Sequence, residues 1–139
     1  MAALNKFFCF VEDLAEKKHD LGADVVKVCL TNTLPVNTNT LLANITQIAA
    51  GNGYASGGST ATVVSSTQTG GIYKLVLNDV VFTATGGPLP AFRYVVVYNS
   101  TGAGGPLIGW YDYGSSITPA DTETFTTDFD QAAGVLTLQ

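Results

Sequence analysis

Two adjacent β-prone runs, residues 92–100 and 106–113, constrain the fold of this chain more than any other feature. Alternate residues of an extended strand face opposite sides. In the first run, one side carries Phe92, Tyr94, Val96 and Tyr98, and the other carries Arg93, Val95, Val97 and Asn99. Both sides are apolar in the middle, which indicates a central strand rather than an edge strand. Residues 107–113 are expected to return as its antiparallel neighbour, with the only tryptophan, Trp110.

Further β-prone runs, separated by turn signals, lie on both sides of this pair. They are residues 24–31, 60–67, 72–77, 80–85, 122–129 and 135–138. The dipeptide Asn78-Asp79 is a tight turn or a bulge, and residues 41–50 fit either a short helix or a loop. The total of about eight strands is typical of a sandwich or barrel. The fold prediction is mainly β: an antiparallel, jelly-roll-like β-sandwich with an N-terminal amphipathic α-helix.

The predicted helix covers residues 3–18, and Gly22 offers a stop. Its apolar stripe at helical spacing consists of Leu4, Phe7, Phe8, Val11, Leu14 and Ala15, with Cys9 on the opposite side near Asn5, Glu12 and Glu16. The helix is expected to lie on the sheet of its own chain, with docking on a neighbouring subunit as the alternative. We therefore predict one domain, residues 1–139, with helix and turn in 1–22 and the sandwich in 23–139.

The surface of this domain is expected to be weakly charged. Only 12% of the 139 residues are charged, about half of the usual fraction of roughly 25%. A surface of Thr, Ser, Asn and Gly loses little hydration when it is covered, which favours a chain packed against other chains. An ordinary Thr-rich β-domain is the equally weighted alternative.

Charge and hydropathy also argue against several partners and compartments. The net charge is −5 and there is no Lys/Arg run, so no nucleic-acid partner is predicted. No apolar run approaches the roughly 18 residues of a membrane span. Glu12 and Asp13 interrupt the N-terminal apolar stretch, so we do not interpret it as a signal peptide. Synthesis in a cytosol follows, with Cys9 and Cys29 as unpaired packing residues.

The candidates for chemistry are few, and each has a structural interpretation that we favour. His19, the only histidine, is expected in water beside Lys18 and Asp20. The late carboxylates could hold calcium or hydrolyse a glycosidic bond, but their spacing favours a solvated strand; they are Asp121, Glu123, Asp128 and Asp130. The glycine-rich residues 51–58 lack the lysine of a phosphate loop, so a flexible connection is expected.

The aromatic residues Trp110, Tyr111 and Tyr113 could stack on a sugar ring. Strand alternation places Trp110 opposite the two tyrosines, which favours core packing for part of the set. We therefore predict no catalytic residue, no cofactor-binding residue, no metal ligand and no enzymatic activity.

Six segments resemble a group of small structural proteins of tailed bacteriophages and prophages. They are FxxFVEDLAEKKHDLGADVVKVCLTNT, ITQIAAGNGYASGG, KLVLNDVVFTATGG, FRYVVVYN, PLIGWYDYG and DFDQAAGVLTLQ, which together run from Phe7 to Gln139. The resemblance implies a virion component assembled in the host cytoplasm. Its implied partners are the major capsid protein or other virion proteins, with homo-oligomers in the particle.

Within the virion, the leading hypothesis is a capsid decoration (cement) protein that bridges coat subunits. A tail or head-tail adaptor component is one alternative, and a carbohydrate-binding module for the host surface is another. The resemblance transfers no functional residue, because no active-site motif accompanies it.

Overall fold

The computed structural model describes residues 3–139, which form ten strands, all paired antiparallel, and one short α-helix near the N-terminus. The elements are β1 (Asn5–Lys6), α1 (Cys9–Ala15), β2 (Val26–Thr31), β3 (Ser59–Ala61), β4 (Val63–Thr69), β5 (Ile72–Leu77), β6 (Val80–Thr83), β7 (Phe92–Asn99), β8 (Leu107–Ile117), β9 (Thr124–Thr127) and β10 (Leu136–Leu138). The strand orders are β1-β8-β7-β2-β3, β10-β5-β4 and β6-β9.

The strand β7 is central, as the sequence predicts. It lies between β2 and β8 in the five-stranded sheet, and almost all of its side chains are buried. Its two faces belong to two different apolar clusters, with Val95 and Val97 in the main core and Tyr94, Val96 and Tyr98 in the smaller one. The apolar character of both sides of this strand therefore has a direct structural cause.

One detail of the predicted alternation is wrong. Phe92 was expected to share a face with Tyr94, but it packs in the main core with Val95 and Val97. The cause is a shift in register between β7 and β8 that falls between Phe92 and Tyr94. The extra residues lie on β8, and a bulge of this kind increases the local twist of the strand pair.

The main core receives side chains from all three sheets. Its members include Val28, Leu30, Leu75, Leu77, Phe82, Val95, Val97 and Phe125. The smaller cluster lies on the other face of the five-stranded sheet and consists of Phe7, Cys29, Ile45, Tyr94, Val96, Tyr98, Leu107 and Trp110. The five-stranded sheet is thus covered on both sides within one chain.

Two strand boundaries differ from the prediction because the chain changes sheets. The predicted strand at residues 60–67 is two strands, since β3 pairs with β2 whereas β4 pairs with β5. The dipeptide Asn78-Asp79 is a corner, because β5 lies in the three-stranded sheet and β6 in the two-stranded sheet. Asp79 fixes this corner by accepting a hydrogen bond from the Phe129 N–H (2.9 Å). Residues 41–50 contain a 3-10 turn, Leu42–Asn44.

The predicted helix at residues 3–18 is much shorter in the structure. Asn5 and Lys6 are extended and pair with Trp110 and Gly109 of β8. Gly109 permits this approach, because a Cβ there would lie 2.7 Å from the Asn5 carbonyl oxygen. The helix ends well before Gly22, and Lys17 has a left-handed backbone (φ 68°). Residues 5–6 therefore pair with the free edge of β8, although the apolar spacing of residues 3–18 predicts a helix.

The predicted apolar stripe is also wrong in its membership. Phe7 and Phe10 are fully buried, and Asp13 is buried with them, whereas Phe8 and Val11 are 58% and 50% exposed. Because α1 packs on β8 of its own chain, the expected intramolecular docking is present. Within residues 3–139 no helix is long and apolar enough to cross a membrane.

Candidate interaction surfaces

His19 is buried rather than in water, which corrects the sequence-based expectation. Only 6% of the residue is exposed, and its ring packs against Phe10 with centroids 5.3 Å apart. Asn99 Nδ2 donates to His19 Nδ1 (3.1 Å), which places the ring proton on Nε2. Among the described residues Nε2 has no hydrogen-bond partner. Burial lowers the pKa of His19, with Asp13 and Asp24 opposing the effect.

The histidine belongs to a polar network that joins the start of β2 to the end of β7. Asn99 Nδ2 also donates to Asp24 Oδ2 (2.6 Å), and Asn99 Oδ1 accepts from the backbone N–H groups of Thr101 and Gly102. Every polar atom of the Asn99 amide is therefore engaged in holding a loop. The network thus ties the residues before β2 to the loop that follows β7.

The two cysteines are free thiols, as predicted, and neither is activated. Cys29 is fully buried, and desolvation raises its pKa to about 12. The Cys9 sulfur lies 3.6–3.8 Å from the carbonyl oxygens of Asn39, Thr40 and Leu107, and Cys9 lines one cavity together with Glu12. Burial, followed by the Asp13 carboxylate, raises the pKa of Cys9. Both sulfurs are thus held as thiols, not thiolates.

Most of the late carboxylates cap turns. Asp121 accepts from the Gly86 N–H, Glu123 from the Ala120 N–H, and Asp130 from the N–H groups of Ala132 and Ala133. Asp128 accepts none of the side-chain hydrogen bonds found among residues 3–139. Within that range no group of three or more His, Cys, Asp or Glu side chains could hold a metal ion.

Within the glycine-rich residues 51–58 one side chain anchors the segment, whereas residues 51–53, 55 and 56 are exposed. Tyr54 is buried, and its hydroxyl donates to Gln47 Oε1 (2.7 Å) and accepts from the Leu30 N–H (3.2 Å). Gly58 has a φ of +75° and lies directly against the carbonyl group of Val28. Gly58 therefore serves close backbone packing.

The aromatic residues do not form one exposed platform for a sugar. Trp110 is only 7% exposed and packs on Phe7, with ring centroids 4.8 Å apart. Tyr111 is buried in the main core, on the opposite face of the sheet. Tyr113 is the exposed member of the set, and its ring lies over Phe125. Core packing of Trp110 is confirmed.

Four large apolar side chains are exposed on two segments that are hydrogen-bonded to each other. Phe8 and Val11 belong to the N-terminal segment, and Leu34 and Val36 (60% and 55% exposed) belong to the loop after β2. The Phe8 N–H donates to the Asn37 carbonyl oxygen (3.0 Å), which joins the two segments. We call these four residues the apolar surface. The signal in the sequence was two aliphatic residues within an otherwise polar loop.

A cleft of about 410 Å³ lies between β8 and β9. Its lining residues are Val95, Tyr111, Asp112, Tyr113, Thr124, Phe125, Thr126 and Asp128. Val95, Tyr111 and Phe125 are buried and give the cleft an apolar floor, while the two aspartates are polar lining groups. No sequence pattern indicated this cleft, because it depends on how two separate sheets meet.

One side of the cleft is shaped by a large bulge in β8. Phe92 pairs with Ile117 and Tyr94 with Asp112, so four residues of β8 lie opposite one residue of β7. Arg93 holds the start of the bulge through paired hydrogen bonds to Asp112 (2.8 and 3.1 Å). The Arg93 guanidinium, together with the Gly114 N–H, lowers the pKa of Asp112.

The described residues form a mainly β protein with antiparallel sheets, and they present two candidate interaction features, the apolar surface and the cleft. No family model, no curated protein and no solved structure matches this chain.

Proposed function

We propose that the chain is a non-enzymatic structural component of a tailed-bacteriophage virion. Its role is that of a capsid decoration (cement) protein, which is assembled in the host cytoplasm and bridges coat subunits. The observation that carries the proposal is the apolar surface formed by Phe8, Val11, Leu34 and Val36. Its partners are the major capsid protein or other virion proteins, with several copies of the chain in each particle.

The apolar surface suits permanent contact with a neighbour. Single exposed apolar side chains are ordinary, but a group of them on joined segments favours a protein interface. The chain has only six Lys and Arg and eleven Asp and Glu, so covering its surface removes few ions from water. Burial of apolar surface favours association by roughly 25 cal/mol per Å². The cost of removing water from charged groups, which opposes association, is small for this chain.

The architecture supports the same proposal. We propose that the five-stranded sheet and the smaller sheets are the two layers of a jelly-roll-like β-sandwich around the main core. The second apolar cluster covers the outer face of the five-stranded sheet. A block that is buried on both faces of its largest sheet keeps its shape when it is placed on a lattice, which a bridging subunit requires.

The test compares two double variants on purified particles that lack the protein. Phe8→Ser with Val11→Ser removes half of the apolar surface, and Val64→Ser with Val81→Ser removes two equally exposed residues elsewhere. We expect the first variant to lose at least tenfold in co-sedimentation with particles and the second to bind like the wild type. Circular dichroism and melting temperature establish that both variants fold. Equal binding of all three chains contradicts the proposal.

The copy number separates decoration from the alternative roles within the virion. Quantitative mass spectrometry of purified particles should find the chain at a level comparable to the coat protein. A few to tens of copies per particle would instead support a tail or head-tail adaptor. Absence from purified particles would remove the virion proposal altogether.

A further inference from the structure

The cleft between β8 and β9 is bordered by two unpaired strand edges. β9 pairs only with β6, and β1 pairs with β8 only opposite Gly109 and Trp110. Residues 111–117 of β8 and the whole of β9 thus each have one side without a partner strand among the described residues. Both free sides contribute residues to the same cleft. Unpaired edges of this kind are templates for an added strand.

Alternate residues of β9 direct their backbone hydrogen-bonding groups away from β6. Just beyond the strand, the Ala84 N–H donates to the Glu123 carbonyl oxygen (2.9 Å). Ladder bonds recur at every second residue, so the facing residues Phe82 and Phe125 share them. Thr126 therefore directs its own N–H and C=O away from β6. An extended peptide in the cleft can pair with these groups.

We propose that this cleft accepts an extended segment of a partner polypeptide as an added β-strand, and that this segment carries a lysine or arginine. The apolar floor of Val95, Tyr111 and Phe125 receives the apolar side chains that alternate along one face of such a segment. The site is distinct from the apolar surface, and the proposal goes beyond the virion role.

Charge determines which partner fits. Arg93 already neutralises Asp112, whereas Asp128 takes part in none of the ion pairs found among residues 3–139. A cationic side chain on the added strand would therefore pair with Asp128. A second copy of this chain fits poorly. Antiparallel pairing of two β9 strands brings the acidic start of one, with Asp121 and Glu123, near Asp128 of the other, and like charges there are destabilising.

The experiment selects binders from a display library of random linear decapeptides against the immobilised full-length chain. We expect the enriched peptides to alternate apolar and small polar residues and to contain lysine or arginine. In amide hydrogen exchange, they should protect β9 and the adjoining part of β8. Failure to enrich any peptide, or protection confined to the apolar surface, would overturn the proposal. Protection of the β9 amides from exchange in the absence of peptide, caused by self-association of the chain, would also overturn the proposal.

A matched pair of proline variants tests the pairing itself. Thr126→Pro removes an N–H that points away from β6, and Val81→Pro removes the N–H of the residue directly opposite, on the other edge of the same sheet. We expect peptide affinity to fall at least tenfold in Thr126→Pro and to stay within twofold of the wild type in Val81→Pro. Melting temperatures check that both variants fold. Equal affinities in the two variants would exclude strand addition along β9.

A second matched pair tests the charge preference. Asp128→Lys reverses the unpaired charge in the cleft, and Glu16→Lys makes the same change in net charge at an exposed residue outside it. Selection against the Asp128→Lys chain should enrich acidic peptides, whereas the Glu16→Lys chain should enrich basic ones like the wild type. An unchanged basic preference in Asp128→Lys would contradict the assignment of Asp128.

Discussion

His19 shows how one buried ring can couple the fold to pH. Burial lowers its pKa below the ordinary 6.5, and its Nδ1 already accepts a hydrogen bond from Asn99. Between its folded and unfolded pKa values the unfolded state therefore binds more protons. Stability rises with pH in that window and falls as the pH drops below about 6.5.

We predict this pH dependence in urea unfolding of the wild type and of His19→Gln between pH 8 and pH 5. The wild type should lose stability on acidification, with a slope of up to about 1.4 kcal/mol per pH unit from this single group. The variant cannot take up that proton, so its stability should change less over the same range. Parallel curves for the two proteins would show that folding does not change the pKa of His19, and would contradict the prediction.

The sequence could predict whether an individual side chain is buried only where burial follows from strand alternation. The burial of Trp110 follows from the pattern of β8. The burial of His19 does not, because it depends on Asn99, eighty residues away in the chain. The close packing of Gly58 against Val28 likewise arises between distant segments. Such contacts cannot be predicted from the residues that surround each position in the sequence.

The N-terminal element presents two adjacent phenylalanines in opposite environments. Phe7 is fully buried in the smaller cluster and donates its N–H to the Ile108 carbonyl oxygen (3.2 Å). Phe8 is largely exposed in the apolar surface. Replacing Phe7 should therefore affect the stability of the fold, whereas the same replacement at Phe8 should affect association with a partner.

We predict that Phe7→Ala lowers the free energy of unfolding by about 3–5 kcal/mol, as expected for a buried phenylalanine. Phe8→Ala should change it by about 0.5 kcal/mol or less, since surface substitutions rarely do more. Chemical denaturation of the two variants measures both values. Similar losses in the two variants would mean that the N-terminal segment is arranged differently. Deletion of residues 1–18 should yield an unfolded or insoluble product, because it removes both Phe7 and Phe10 from the interior.

The sequence predicted most strands well and the N-terminal helix poorly, for a physical reason. Central strands such as β7 are specified by their own β-branched and aromatic residues. Residues 5–6 carry helical periodicity, yet they pair with the edge of β8 at Gly109. Helices this short depend on tertiary contacts more than on propensity. The division of residues 60–67 between two sheets is similarly a property of the assembled fold.

The whole molecule offers two surfaces whose proposed contacts differ in their physics. The apolar surface consists of side chains without charge, whereas the cleft presents Asp128 to a basic strand. Salt screens the second kind of contact strongly, because the Debye length falls from about 10 Å at 0.1 M to about 3 Å at 1 M. Burial of apolar groups is not weakened in this way, and it weakens instead on cooling.

We therefore predict opposite responses from the two surfaces of the same chain. The fraction that co-sediments with particles should be unchanged between about 0.1 and 1 M NaCl and should fall when the sample is cooled from about 37 to 4 °C. The affinity for a basic decapeptide should fall severalfold over the same range of salt, and the Asp128→Asn chain should lose that dependence. Release from particles by salt would show that charged groups carry the association, since no contact made by Phe8, Val11, Leu34 and Val36 alone would respond in that way.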